Sequence, residues 1–192
     1  MRSQASASRA GRTLVLVLLL LASACSTPPP EDPPFEAVTR AAREGDLAEL
    51  QELVARHPET VRQADSFGYT PLHHAVLRGA RTTAVFLLEN GADPSAASRV
   101  GTTPLHLAAE QGAGYLLKPL LLFGARLDAR DEDGKTPLHA AASLGCAETI
   151  VFLLEAGANP DLRDELGETP LDLARKMDQR AVVSVLRAAR AR

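Results

Sequence analysis

The chain has 192 residues, 45% of them hydrophobic, 23% charged and only 4% aromatic, with no tryptophan. That is the composition of an ordinary soluble domain poor in large core side chains. The formal charge is −3, and once the three arginines of the N-terminal segment are set aside 18 basic residues face 24 acids, about −6. An acidic chain with no basic block excludes nucleic acid as a partner on electrostatic grounds.

Residues 1–24 differ in kind from the rest. Arg2, Arg9 and Arg12 form a positive stretch without an acid, and Leu14 to Ala22 is an uninterrupted apolar run, the pattern of a secretory signal peptide. The run is about half of the ~20 residues a helix needs to span a bilayer, so a permanent transmembrane helix is the weaker reading. Ala22, Ser23 and Ala24 lead directly into Cys25, which resembles a bacterial lipobox. That resemblance implies that Cys25 becomes the lipidated first residue of the mature protein and anchors it to a membrane. Ala22 stands where the family usually has leucine, and plain cleavage giving a secreted or soluble periplasmic protein is the alternative. Ser26 after the cysteine favours the outer membrane by the same resemblance.

Residues 25–34 are then a lipid attachment site followed by a stiff spacer. TPPPEDPP (Thr27 to Pro34) cannot form a helix or a central strand. Cys146 is the one other cysteine, so no internal disulfide is expected and stability must come from packing. From residue 35 onward the chain reads as one repeat domain, 35–192. Residues 35–64 form a degenerate first unit, with Val38, Ala41 and Ala42 before Gly45 and Leu47, Leu50, Leu53 and Val54 after it.

Four units follow, 65–97, 98–130, 131–163 and 164–192. Thr70, Thr103, Thr136 and Thr169 fall 33 residues apart, as do Gly68, Gly101, Gly134 and Gly167. A fixed period of this length marks a tandem helical array. Each threonine is suited to cap a helix, and the prolines that follow (Pro71, Pro104, Pro137, Pro170) suit the first helical position, where a missing N–H is harmless. In the third unit the first helix carries Leu138, Ala141 and Ala142 and ends at Gly145, a left-handed cap. A second helix carries Ile150, Val151, Leu153 and Leu154 and stops at Gly157. Alanines on the first helix let the two backbones approach closely, and turn-forming residues between units supply a return loop.

The second unit departs from the pattern. Gly114, Lys118 and Pro119 fall within its second helix, Lys118 on a valine-type core position. An interior proline predicts a late-starting, kinked or locally rewound helix near Gly114 to Leu117. In the last unit Asp172 replaces the histidine found at His73, His106 and His139, and Arg187 replaces the leucine found at Leu88, Leu121 and Leu154. Charge at that position fits a face with no further neighbour.

The TPLHxA signature with LLxxGAD or LLEAGAN resembles the ankyrin repeat over residues 65 to about 186. The resemblance implies a mainly α solenoid of helix-turn-helix-hairpin units: four recognisable repeats and an N-terminal capping unit. It also implies that the tetrad histidines bond to neighbouring loop backbone, and that function is protein binding rather than catalysis.

No nucleophile with base and orienter, phosphate loop, HExxH or CxxC pair is present, and no cofactor is expected. Equivalent histidines in stacked units stand ~8–10 Å apart, too far to share one metal whose ligands lie ~2.0–2.1 Å away. Asp131, Glu132 and Asp133 read as a solvated turn. By the resemblance, hairpin tips present Phe67, Tyr69, Arg99, Val100, Asp133, Lys135, Leu166 and Glu168. The inner groove presents Leu77, Arg78, Glu110, Gln111, Ser143, Leu144, Lys176 and Met177. Exposed Phe67, Tyr69 and Leu77 beside Arg78 and Arg99 resemble an interface core.

These features point to a monomeric, membrane-tethered adaptor of the bacterial envelope that captures another protein. Two alternatives are an immunity or protective protein for an exported toxin or enzyme, and an enzyme or small-ligand binder at the irregular second unit.

Overall fold

The protein is described by a computed structural model over residues 34–190, the Arg190 side chain excepted. Cys25, the segment 1–24 and most of the spacer lie outside the described residues. Those from Pro34 onward form one compact unit.

Ten α-helices follow in pairs: α1 (Pro34–Glu44) and α2 (Leu47–Arg56), α3 (Pro71–Leu77) and α4 (Arg81–Glu89), α5 (Pro104–Glu110) and α6 (Gly114–Leu122), α7 (Pro137–Leu144) and α8 (Ala147–Glu155), α9 (Pro170–Lys176) and α10 (Arg180–Arg190). A short 3₁₀ turn, Pro58–Arg62, follows α2. Pro34 is already helical, one residue inside the predicted spacer. Proline at the first helical position sacrifices no hydrogen bond.

Helices of seven to nine residues are too short to persist alone, and what holds them is stacking. Each first helix packs against the first helix of the next unit. Leu72, Ala75 and Val76, then Leu105, Ala108 and Ala109, then Leu138, Ala141 and Ala142 are all removed from solvent at these contacts. Leu87, Leu120, Leu153 and Leu186 do the same on the second helices, each 0% exposed. The core is therefore a thin layer that runs the length of the array, which explains how the fold forms without tryptophan.

Each first helix starts at a threonine in extended conformation (φ −88° for Thr70, −101° for Thr136). The histidine three residues on reaches back, so that the Thr70, Thr103 and Thr136 amides donate to Nδ1 of His73, His106 and His139 at 3.1, 3.2 and 3.1 Å. This is a capping box with imidazole in place of the usual glutamate. Helix α7 ends at Gly145, φ 80°. In the last unit Asp178, φ 53°, holds the equivalent place, a left-handed conformation that aspartate tolerates better than most side chains.

Two expectations are corrected, and the mainly α solenoid stands with its hairpins in their simplest form: the loops carry no β-strand among the described residues. Each is a tight turn closed by its own amides (Asp131 N–H to Lys135 O, 3.0 Å, and Gly134 N–H to Asp131 O, 3.0 Å), too short to build a ladder. Helix α6 does not start late: it begins at Gly114, in register with α4 and α8. Pro119 is buried at its sixth position and gives up the bond that an amide there would make to the Tyr115 carbonyl. The first turn is tightened instead, with Leu116 N–H on Ala113 O at 2.8 Å. In α4 and α8 the equivalent carbonyls, of Ala80 and Cys146, accept instead from one residue further on, Ala84 and Ile150. Lys118 does not occupy a core position, because it and its counterpart Val151 are both exposed on the outer face of the second helices.

Candidate functional site

The loops that project between units are held by their first residue. Asp65 Oδ1 accepts the amides of Phe67 (2.8 Å) and Tyr69 (2.9 Å). Asp131 does the same for Asp133 and Lys135, and Asp164 for Leu166 and Glu168. Ser98 substitutes with one bond, from the Thr102 amide at 3.1 Å. Burial works against ionisation of Asp65, but these two amides and the His74 ring hold its carboxyl below the ordinary 3.8. His74 Nε2 lies 3.1 Å from Asp65 Oδ2.

Successive tips are then tied to one another. Arg99 N–H donates to Phe67 O at 2.9 Å, Glu132 N–H to Val100 O at 3.0 Å, and Glu165 N–H to Asp133 O at 2.8 Å. The histidines add a second tie beneath. His73 Nε2 stands 3.1 Å from Thr102 O, His106 from Lys135 O, and His139 from Glu168 O, each at 3.1 Å and each reaching into the following loop. Because Nδ1 accepts a backbone amide, the ring proton sits on Nε2 and is donated to that carbonyl. Burial depresses all three imidazoles, His73 from 6.5 to about 4. Both nitrogens of each ring are thus engaged, which leaves no lone pair for a metal. No group of three or more candidate ligands occurs among the described residues. Asp172 accepts from the Thr169 amide (3.1 Å) and hydroxyl (2.7 Å) and caps its helix without a donor.

The result is a rigid edge from which selected side chains point outward. Phe67 is 69% and Leu166 76% exposed, with Val100 also exposed between them. In the groove along the first helices Leu77, Leu144 and Met177 are exposed, as are Arg78 and Glu110, while Arg99 is exposed on its loop tip. Gln111 is partly committed, its amide nitrogen donating to Leu77 O at 3.1 Å. Lys135 pairs with Asp133 (2.8 Å), which raises its pKa, and Lys176 pairs with Glu168 (3.1 Å).

Tyr69 is the exception. It is half-buried and packs edge-on against His73 (5.2 Å between ring centres) and His74 (5.9 Å). The aspartate-closed turn aims residue 69 inward, under the tip, while Phe67 points out. Tyr69 is therefore part of the scaffold and not an anchor.

Four exposed apolar side chains lie on the outer helices, outside the predicted face: Tyr115, Leu122, Phe123 and Val151. A sequence signal for the middle two existed. Leu122 and Phe123 stand where the neighbouring units have Glu89–Asn90 and Glu155–Ala156. Cys146 is half-buried, its Sγ 3.9 Å from Glu110 O, and burial pushes its thiol pKa up, the opposite of an activated nucleophile.

Comparison with known proteins places the whole repeat array. The family of ankyrin repeats (3 copies) matches residues 5–98, 38–122 and 105–191. Oxysterol-binding protein-related protein 1 of Rattus norvegicus is 42% identical over 65 residues, 33% of this chain and 7% of that protein. BTB/POZ domain-containing protein 3 of Schizosaccharomyces pombe is 41% identical over 58 residues, 30% of this chain and 11% of that protein. The 2-5A-dependent ribonuclease of Mus musculus is 34% identical over 58 residues, 30% and 8%. The chain thus spans a small fraction of these relatives, and each shared stretch is under two periods long. With a family match that covers well over half of its residues, the chain belongs to the ankyrin-repeat family.

Proposed function

We propose that this protein, built of repeats that in general serve protein–protein interaction, is a membrane-tethered adaptor of the bacterial envelope, lipid-anchored at Cys25, without enzymatic activity, and that it captures another protein through its loop tips and inner groove. One observation carries the capture: Phe67, Val100 and Leu166 on the tips and Leu77, Leu144 and Met177 in the groove are large, apolar and exposed, on a frame already fixed by inter-unit bonds. Exposed apolar side chains on a rigid support lose little conformational entropy on binding, which is the property of an interface anchor. The tether would raise the local concentration of the adaptor at the membrane. It rests on the sequence pattern before Cys25; no helix among the described residues is long and apolar enough to cross a membrane.

The test is a pull-down from cell envelopes with the native chain and with a Phe67→Ala, Leu77→Ala, Leu166→Ala variant. Tyr69 is left intact because it supports the turn. Recovery of one protein by the native form and its loss by the still-folded variant is expected. Capture that survives the triple change would place the interface elsewhere. For the anchor, Cys25→Ser should move the protein from the detergent-soluble membrane fraction to the aqueous one, and unchanged partitioning would refute lipidation.

A further inference from the structure

The outer helices α6 and α8 pack side by side, and the step of 33 sets Lys118 level with Val151 and Leu122 level with Glu155. All four side chains are exposed. Lys118 and Leu122 lie one turn apart, as do Val151 and Glu155, about 6 Å along each helix. The two helices stand ~8–10 Å from one another. The four residues therefore mark the corners of a rectangle, with two opposite charges on one diagonal and two apolar side chains on the other. Neither charge is used within the chain: Lys118 and Glu155 make no hydrogen bond or ion pair among the described residues.

The second unit alone creates this crossed arrangement. In α4 and α8 the two positions hold Val85 and Glu89, then Val151 and Glu155; in α6 they hold Lys118 and Leu122. A crossed rectangle is complementary to itself. Turn a second copy over about the Leu122–Val151 diagonal, and those two residues stay on the axis while the charged corners change places. Leu122 then meets the partner's Leu122, Val151 meets the partner's Val151, and each Lys118 comes over the partner's Glu155. That is the condition for an isologous two-fold contact, and it satisfies both charges at once. An anionic lipid surface would be drawn by Lys118 and repelled by Glu155.

We propose that the outer face of α6 and α8 pairs with the same face of a second copy of this chain, about a two-fold axis through Leu122 and Val151, with Lys118 of each copy on Glu155 of the other. The paired charges set the register, and the apolar contacts on the axis exclude water. Four side chains a copy cover less than the ~800 Å² that each partner of a stable dimer buries, so the pairing is weak and reversible. It lies on the outer helices and leaves the loop tips and the inner groove free for another protein.

The test is disulfide trapping of the purified full chain, oxidised and run on a non-reducing gel, in a Cys146→Ser background. A thiol on a two-fold axis faces its own copy, so Leu122→Cys and, as a second axial position, Val151→Cys should each give a covalent dimer above the level of the background chain. Leu166→Cys, equally exposed on a loop tip, should not. With Leu122→Cys in place, Lys118→Glu or Glu155→Lys should each lower the yield about tenfold by setting like charges together. Both changes on one chain should restore the yield, because exchanging the two corners keeps them complementary. Circular dichroism of each variant, all altered at exposed positions, checks that the fold is kept. No dimer from either axial cysteine overturns the proposal. So does an equal yield from Leu166→Cys, or a double exchange that traps no better than the single changes.

Discussion

Acid should loosen this array well before its carboxylates protonate, and the tetrad histidines are the reason. His73 is fully buried, accepts the Thr70 amide on Nδ1 and lies 3.1 Å from Thr102 O through Nε2. A proton on Nδ1 would face the Thr70 N–H donor, with only the Thr70 hydroxyl, 2.9 Å away, to accept it. Burial accordingly lowers the folded pKa from 6.5 to about 4. Between these values the unfolded chain binds the proton and the folded chain does not, so stability is fully present above pH 6.5 and is lost as the pH falls toward 4. From that shift His73 alone removes about 2 kcal/mol at pH 5 and about 3 kcal/mol below pH 4. His106 and His139 are depressed by the same burial and add loss of the same sign. Asp65 and Asp172 are held below 3.8, so their contribution disappears only at lower pH and leaves the window to the histidines. Urea unfolding followed by circular dichroism at pH 7 and pH 5 measures the loss. His73→Gln, which cannot take up the proton, should flatten the dependence by about 2 kcal/mol. A titration of the His73 ring proton by NMR should give a pKa near 4. Native His73 titrating near its ordinary value, or equal stability at both pH values, would refute the reasoning.

Three further outcomes follow from particular contacts. Gly101 and Gly167 share a left-handed conformation (φ 77° and 75°), but an added Cβ at Gly101 would stand 2.7 Å from the Asp131 backbone, whereas at Gly167 it meets nothing within 4 Å. Gly101→Ala should therefore cost about 1–3 kcal/mol more than Gly167→Ala in thermal or urea unfolding; equal costs would deny the close approach of successive loops. Leu120→Ala, at a fully buried position of the proline-containing helix, should cost about 2–5 kcal/mol, while Leu122→Ala, 74% exposed two residues on, should stay within about 0.5 kcal/mol. Equal effects would mean that Pro119 has shifted the register of α6. Phe67→Ala should leave stability unchanged within about 0.5 kcal/mol and Tyr69→Ala should lower it by about 1–3 kcal/mol, measured the same way; the reverse order would make Tyr69 the exposed anchor.

The repeat frame was legible because every signal in it is local. Thr136 caps a helix that Pro137 begins and Gly145 ends, all within ten residues, and the step of 33 copies that decision along the chain. The reversal of Leu to Arg at position 187 was equally readable, since it is a comparison of one unit with another. What no single unit contains is its neighbour. The tip amides bond to loops one unit away, whereas Tyr69, drawn inward by the rings of His73 and His74, and Phe67, left outside by the same turn, are sorted within one unit by a turn geometry that the spacing does not spell out. Pro119 breaks a local rule, yet α6 stays in register because Leu116, Leu117 and Leu120 are buried against both adjoining units, and burial of several leucines outweighs one lost hydrogen bond. The sequence by itself determined where the helices of the regular units start and stop and which of their faces are apolar, whereas the start of α6 was set by its neighbours. Which of those apolar side chains are covered, and hence which remain available for binding, was decided only by tertiary packing between units 33 residues apart, because exposure is a property of the neighbour and not of the residue.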